Sequence, residues 1–407
     1  MERTTDLDSL LAGCVDGSFD DGIRIDVELE PLSGPGGLVK PAVYVGGTYQ
    51  QDRRWAAPTD EESTPVIVID NVPSQANRLE EALQRYNAAP GPLAVTVPEL
   101  VLDLSDLTLP AHLPRQLSSL QFPHRNADAY LRDAQLDGVD FVRTELGRAI
   151  FGATPQTCGP LMAWFPQALL YGFWQSHLGK KRQNTKHARA WVSEIVGWQP
   201  AAADTKSLGL KGDPLNLNTD EAVIADPDDG LNWGIGAKKE GIPRGRKDRL
   251  SEIGHGQVPF MGDDATAAAV SFARVTQRAT VSFAQLRRIS LGPDHSAAAD
   301  SAARAVLVAL GLHAHVLAFG RGFALRSGAE LRSTATVATW LGSDGDQACS
   351  IGDGDAKTTE ALLRSALDHA ASVGVPLDGW EEPRLTLTPK DNLRAAILAT
   401  WPELDGD

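Results

Sequence analysis

Lys180, Lys181, Arg182, Lys186 and Arg189 follow one another with no acid before Glu194, in a chain whose formal net charge is -15. Lys and Arg hold phosphate oxygens, and neighbouring amides and hydroxyls such as Asn184 and Thr185 add hydrogen bonds to them. The stretch LGKKRQNTKHARAWVSEIVG, residues 178–197, reads as a charged loop feeding a helix, with Lys186 and Arg189 three apart on one helix face and Ala190, Ile195 and Val196 on the other. A cationic face that opens at a helix N-terminus suits a bent phosphate chain. The expectation is an RNA-gripping element; the plainer alternative is a solvated charged loop.

Two further groups point the same way. The segment AKKEGIPRGRKDRLSEIGHG sets Lys238, Lys239, Arg244, Arg246, Lys247 and Arg249 among glycines and ends at Ser251 and His255. Flexible basic arms of this kind order on RNA, although a mobile surface loop has the same composition. Gln75, Asn77 and Arg78 fall on the first turns of a helix, where free N–H groups and the positive dipole end favour an anion. The alternative there is a solvated turn with Arg78 paired to Glu81. Trp174, Trp191, Trp198 and Trp233 flank the basic stretches, and a base stacked on such a ring gains about 1 to 3 kcal/mol. For Trp174 and Trp191 a place in the core is the stronger expectation.

Signals for catalysis are poor. The sequence holds no phosphate-binding GxxxxGK[ST] loop, no dinucleotide glycine fingerprint and no metalloprotease histidine pair. His313 and His315 lack further ligands for a metal, and Asp344-Gly345-Asp346 and Asp353-Gly354-Asp355 read as hairpin turns. His124 and His255 lie near carboxylates and could act on an RNA 2′-hydroxyl, which keeps an RNA endonuclease as the alternative. The expectation is a protein that is not an enzyme and uses no metal or cofactor.

The elements that must position these residues are read from periodicity. Ile23, Ile25, Val27 and Leu29 alternate with polar residues, as do Ala279, Val281 and Phe283, so both runs predict half-buried strands. Val66–Ile69 predicts another strand, followed by a helix capped at Ser74 whose stripe is Val72, Ala76, Leu79, Leu83 and Tyr86. A loop and helix unit follows from Phe122 to Gly147, then a buried helix end and strand between Trp164 and Trp174. Helices are expected over 296–311, 358–372 and 389–400, and a strand over 331–341. Residues 199–266, rich in Gly, Pro, Asp and Asn, predict a loop-rich insertion. The class is α+β, with strands that keep one wet and one dry face.

Composition bounds the rest. With 407 residues and a hydrophobic fraction of 42%, the chain can bury a large core. Three scattered cysteines argue against a disulfide framework or a zinc cluster. Residues 178–250 hold thirteen Lys and Arg against ten Asp and Glu, a net of +3, and the remainder carries -18. The cations are therefore concentrated. Without a signal-peptide layout or a long apolar run, a cytoplasmic protein is expected and a membrane partner is not.

Four motifs carry a resemblance. NVPSQANRLEEAL after a strand, AYLRDAQLDGVDF, TKHARAWVSEIVG and RLSEIGHGQVP resemble, in this order, motifs of the backbone subunit of type I-G (formerly I-U) CRISPR effectors, in the Cas-seven class of the repeat-associated mysterious protein superfamily. The resemblance implies a single modified RRM, or ferredoxin-like, palm over residues 1–407, with insertions that form a thumb, loop-rich around 199–266. It implies copies assembled side by side along a CRISPR RNA within a Cascade-type complex. The guide would stay free to pair with target DNA, beside a large subunit and a subunit that caps or processes the guide end. Carried onto this sequence, the implied RNA contacts are Gln75, Asn77, Arg78, Thr185, Lys186 and Arg189. Ser251 and His255 lie in the fourth motif, and Arg132 and Asp137 in the second, for which a structural role is the alternative.

Overall fold

The computed structural model describes residues 3–45, 47–89, 94–175, 185–201, 222–225, 233–236, 269–351 and 355–401. The alternation read at Ile23, Ile25, Val27 and Leu29 makes strand β1 (Gly22–Pro31), with those four side chains buried. Strands β2 (Thr64–Asp70), β3 (Trp191–Pro200), β4 (Val270–Ser282) and β5 (Ala329–Leu341) join it in one sheet, in the spatial order β5-β1-β4-β3-β2. All four pairings are antiparallel. Gln51–Arg54 extends the sheet beyond β2.

Helix α1 (Val72–Ala88) lies in sequence between β1 and β3, and helix α2 (Ala297–Phe319) between β4 and β5. With β2 and the short strands of the sheet set aside, the six elements β1, α1, β3, β4, α2 and β5 follow one another in the order β-α-β-β-α-β. The chain is α+β, as its periodicity predicts.

Helix α1 starts three residues earlier than expected. Asn71 is the cap, its side chain accepting from the Ser74 amide at 3.1 Å, because Pro73 fits the first turn, where no N–H is needed. Ala76, Leu79 and Leu83 form the buried stripe, with Val72 and Tyr86 half-buried at its ends. Helix α2, capped by Ser296, runs on to Phe319, well beyond the expected end at 311. It is long and apolar enough to cross a membrane, yet 89% of its most apolar window is buried within the protein. Here it is the central core helix. Gly311 lets it approach the sheet, since a Cβ there would sit 2.6 Å from the Trp191 ring. Helix α3 (Ala356–Ser372) packs on α2.

Among the described residues, the helices cover one side of the sheet. Inward-facing Ser193 and Gln277 both donate to the side-chain oxygen of Gln75 on α1, at 3.1 and 2.8 Å. On the opposite side, arginines meet carboxylates: across strands, Arg278 on Asp26 at 2.6 Å, Arg332 on Glu30 at 2.6 Å, Arg274 on Glu28 and Arg54 on Glu194, and within β1, Arg24 on Asp26 at 2.8 Å. Exposed pairs contribute little stability, but they cancel the charge of that face. Its Trp198 is half-buried and donates to Thr276 Oγ1 at 2.8 Å.

A second sheet joins Glu99–Asp103, Gln116–Ser118, Ala134–Leu136, Val139–Asp140 and Arg384–Pro389, so a strand near the end of the chain returns to pair with Glu99–Asp103 and Ala134–Leu136. Asp137 and Gly138, both at positive φ, make the two-residue turn of the 134–140 hairpin, a structural role for that part of the second motif. Within 199–266, the described residues include the end of β3 and a hairpin of Ala222–Ala225 with Trp233–Gly236.

Candidate nucleic-acid groove

The stretch expected to be a helix after Thr185 is strand. Thr185–His187 pairs antiparallel with Phe173–Gln175, and the next ten residues from Trp191 form β3. The physical reason is that Trp191, Val192, Ile195 and Val196 are aromatic or β-branched and can pair with β4, which outweighs the three-residue spacing of Lys186 and Arg189. In the small hairpin, Phe173, Gln175 and His187 point inward and are buried. Trp174 and Lys186, directly opposite each other, point outward. His187 is held by its Nε2 N–H donating to Leu169 O at 2.9 Å, and burial lowers its pKa, so the ring stays neutral.

Two grooves meet along this hairpin. The larger, about 890 Å³, runs from Val72 at the start of α1 past His124, Arg125 and Arg132 to Trp174, Lys186 and Arg189. The smaller, about 500 Å³, shares Lys186 and adds Thr185, Gln285 and Arg288. Lys186 therefore stands on the ridge between them. No carboxylate lines either groove among the described residues. In a chain with net charge -15 this concentrates positive potential in a concave, partly desolvated channel.

The floor of the larger groove is braced by Arg125. Its Nε and Nη2 donate to the two carboxylate oxygens of buried Glu80 on α1 at 2.7 and 2.8 Å, and Nη1 donates to Gly172 O at 3.1 Å. Arg125 adopts a positive φ of 52°, an uncommon conformation that this bidentate clamp holds. Arg189 lies near it: burial and the charge of Arg125 lower its pKa, and guanidinium remains charged regardless. Among the described residues neither Lys186 nor Arg189 has a carboxylate partner.

Gly172 makes room for Arg189. At φ 80° it occupies the left-handed region, and a Cβ would lie 2.9 Å from His187 O and 3.1 Å from Arg189 Cγ. Gly172→Ala is expected to cost about 1 to 3 kcal/mol in a denaturant melt through backbone strain and the displaced 187–189 segment. An unchanged midpoint would contradict this packing.

Other predicted residues are placed differently. Gln75 is buried, with its amide donating to Asp70 and accepting from Ser193 and Gln277, so it braces the sheet and is not a surface contact. Arg78 pairs with Asp70, not Glu81, and also donates to Leu325 O at 2.9 Å. Asn77 is exposed on α1 but lines neither groove. Trp191 is core, as expected, whereas Trp174 is 63% exposed. Lys180, Lys181, Arg182, Lys238, Lys239, Arg246, Arg249, Ser251 and His255 lie outside the described residues. Sequence reasoning missed Arg125 and Arg288; Arg125 stands alone in a mixed segment and Arg288 has only Arg287 beside it, too little to mark a basic cluster.

His313 and His315 are placed in the core. His313 meets Thr359 Oγ1 at 3.0 Å, His315 packs on Trp191 and Phe319, and no cluster of three metal-ligating side chains occurs among the described residues.

Fold and groove together define an α+β protein with a cationic groove beside its sheet that holds no carboxylate among the described residues. Residues 23–201 match the model of a family described as CRISPR-associated protein GSU0053, so this segment of the chain is similar to that family. The matched segment contains every lining residue of both grooves except Gln285 and Arg288. No curated protein matches the chain.

Proposed function

We propose that the chain is a non-catalytic backbone subunit of a type I-G CRISPR interference complex. In this reading several copies line one CRISPR RNA, hold its sugar-phosphate strand in the groove and leave its bases to pair with target DNA. The observation that carries the proposal is the acid-free groove with Lys186 and Arg189 unpartnered by carboxylates among the described residues. The β-α-β-β-α-β strand order supports an RRM-like palm. The sheet face that ordinary RRMs use for stacked bases is here closed by ion pairs, which favours the groove as the RNA seat.

Purified from a bacterial host, the protein is expected to carry stoichiometric protected RNA and to form multimers on a supplied CRISPR RNA. A nucleic-acid-free preparation that forms no multimers would overturn the proposal. Lys186→Ala and Arg189→Ala are each expected to weaken binding similarly for all guide sequences and to reduce the slope of log affinity against log salt by about one unit or somewhat less. Unchanged slopes would remove the groove from the binding site.

His124 at the groove keeps one second reading, an RNA endonuclease. Its test is incubation with precursor RNA, where shortened RNA with wild type and intact RNA with His124→Ala would establish cleavage. The proposal expects intact RNA with both.

A further inference from the structure

We propose that Trp174 is a stacking platform for one unpaired nucleobase of a single-stranded RNA, whose adjoining phosphates sit on Lys186 and Arg189. The inference rests on the RNA-binding reading and adds a contact that reads the base and its strandedness.

Three observations place the ring. Trp174 is 63% exposed although its strand neighbours Phe173 and Gln175 are buried, so its exposure follows from the alternation of a paired strand. It stands directly across from Lys186, so indole and ammonium project from one face of the hairpin. It also lines the larger groove together with Arg189 and the exposed Val192, which makes an apolar strip beside the cations.

A large aromatic ring beside cations that have no carboxylate partner among the described residues calls for a ligand that is flat and carries negative charge at fixed distance from its flat part. A nucleotide has that chemistry. The ring needs a free base face, which a single strand can offer and the interior of an A-form duplex cannot. Trp55 is similarly exposed, at 60%, but lines neither groove, and so serves as the internal control.

The test uses full-length protein with a defined single-stranded RNA and the same RNA in duplex form. Trp174→Ala is expected to weaken single-strand binding about five- to a hundredfold, while Trp174→Phe stays within about fivefold of wild type. The Trp174→Ala salt slope should stay at the wild-type value, because no phosphate contact is lost. Duplex affinity and the Trp55→Ala variant should be unaffected. If wild type binds single-stranded RNA and Trp174→Ala binds it equally well, the stacking role is overturned while the RNA-binding reading survives. The same holds if Trp174→Ala weakens duplex and single strand alike. Failure of wild type to bind RNA at all overturns both. Thermal melts of each variant separate loss of the contact from loss of fold.

Discussion

Replacing Asp70 by alanine is expected to lower the unfolding free energy by about 3 to 5 kcal/mol, as breaking a buried ion pair from one side does. Asp70 ends β2 with no solvent exposure. Its carboxylate accepts from Arg78 Nε and Nη2 at 2.8 and 3.1 Å, from Arg326 Nη2 at 2.7 Å, from Ser74 Oγ at 2.8 Å and from the Gln75 amide. The two arginines also donate to Leu325 O and Ile69 O, both at 2.9 Å, so one carboxylate ties β2, α1 and the strand Phe323–Arg326 together. Its removal leaves two half-buried guanidiniums facing each other. Because both arginines keep some contact with water, the lower part of the range is expected. Burial alone would raise the carboxyl pKa, but the hydrogen bonds and charge of Arg78, with Gln75 and Ser74, hold it below its ordinary value of 3.8. The stabilisation is therefore present above about pH 4 and is lost as pH falls through the depressed folded value. Urea melts of wild type and variant at pH 7 provide the measurement, and a difference under 1 kcal/mol would contradict the assignment.

Acid itself should have an effect of similar size through His313 and His315. Burial lowers both to about 4 from an ordinary 6.5. His315 packs between Trp191 and Phe319, and its Nδ1 has no hydrogen-bond partner among the described residues. His313 meets the Tyr86 ring edge-on, and nearby Glu360 only partly opposes the desolvation. Between these pH values the unfolded chain binds more protons than the folded one, so stability falls as pH falls from about 6.5 towards 4. By pH 5 the loss is about 2 kcal/mol for each histidine, about 4 kcal/mol for the pair. Melts at pH 7 and pH 5 are expected to differ by that amount in wild type and by much less in a His313→Gln/His315→Gln variant. Equal losses in both proteins would sink the explanation.

What the sequence made legible was whatever depends on local period. Ile23 to Leu29 and Ala279 to Phe283 alternate because one face of each strand is buried, and that pattern survives without knowledge of its partners. Residues 185–197 were misread because two cations three apart are compatible with a helix surface, and only pairing with Phe173–Gln175 and β4 decides otherwise. The roles of Gln75 and Arg78 were hidden for a related reason: both look like ordinary polar residues of a first helical turn, and their partners Gln277 and Arg326's neighbour Leu325 come some 200 residues or more later in the chain. Trp174 gave no signal of exposure, since three strand residues are too few to show which face is wet. The groove was thus legible as chemistry in Lys186 and Arg189, while its shape required the long-range contacts of Arg125, Gly172 and α1.

The brace from Glu80 through Arg125 to Gly172 has a mechanical consequence. Helix α1 is keyed to β3 and β4 by Gln75 and to the channel floor by Glu80, so floor and sheet form a stiff anvil. A pliant polymer laid on such an anvil takes the shape of its seat. For a row of identical seats, the step from one to the next would then be dictated by protein geometry, and the strand would serve as the thread and not as the ruler.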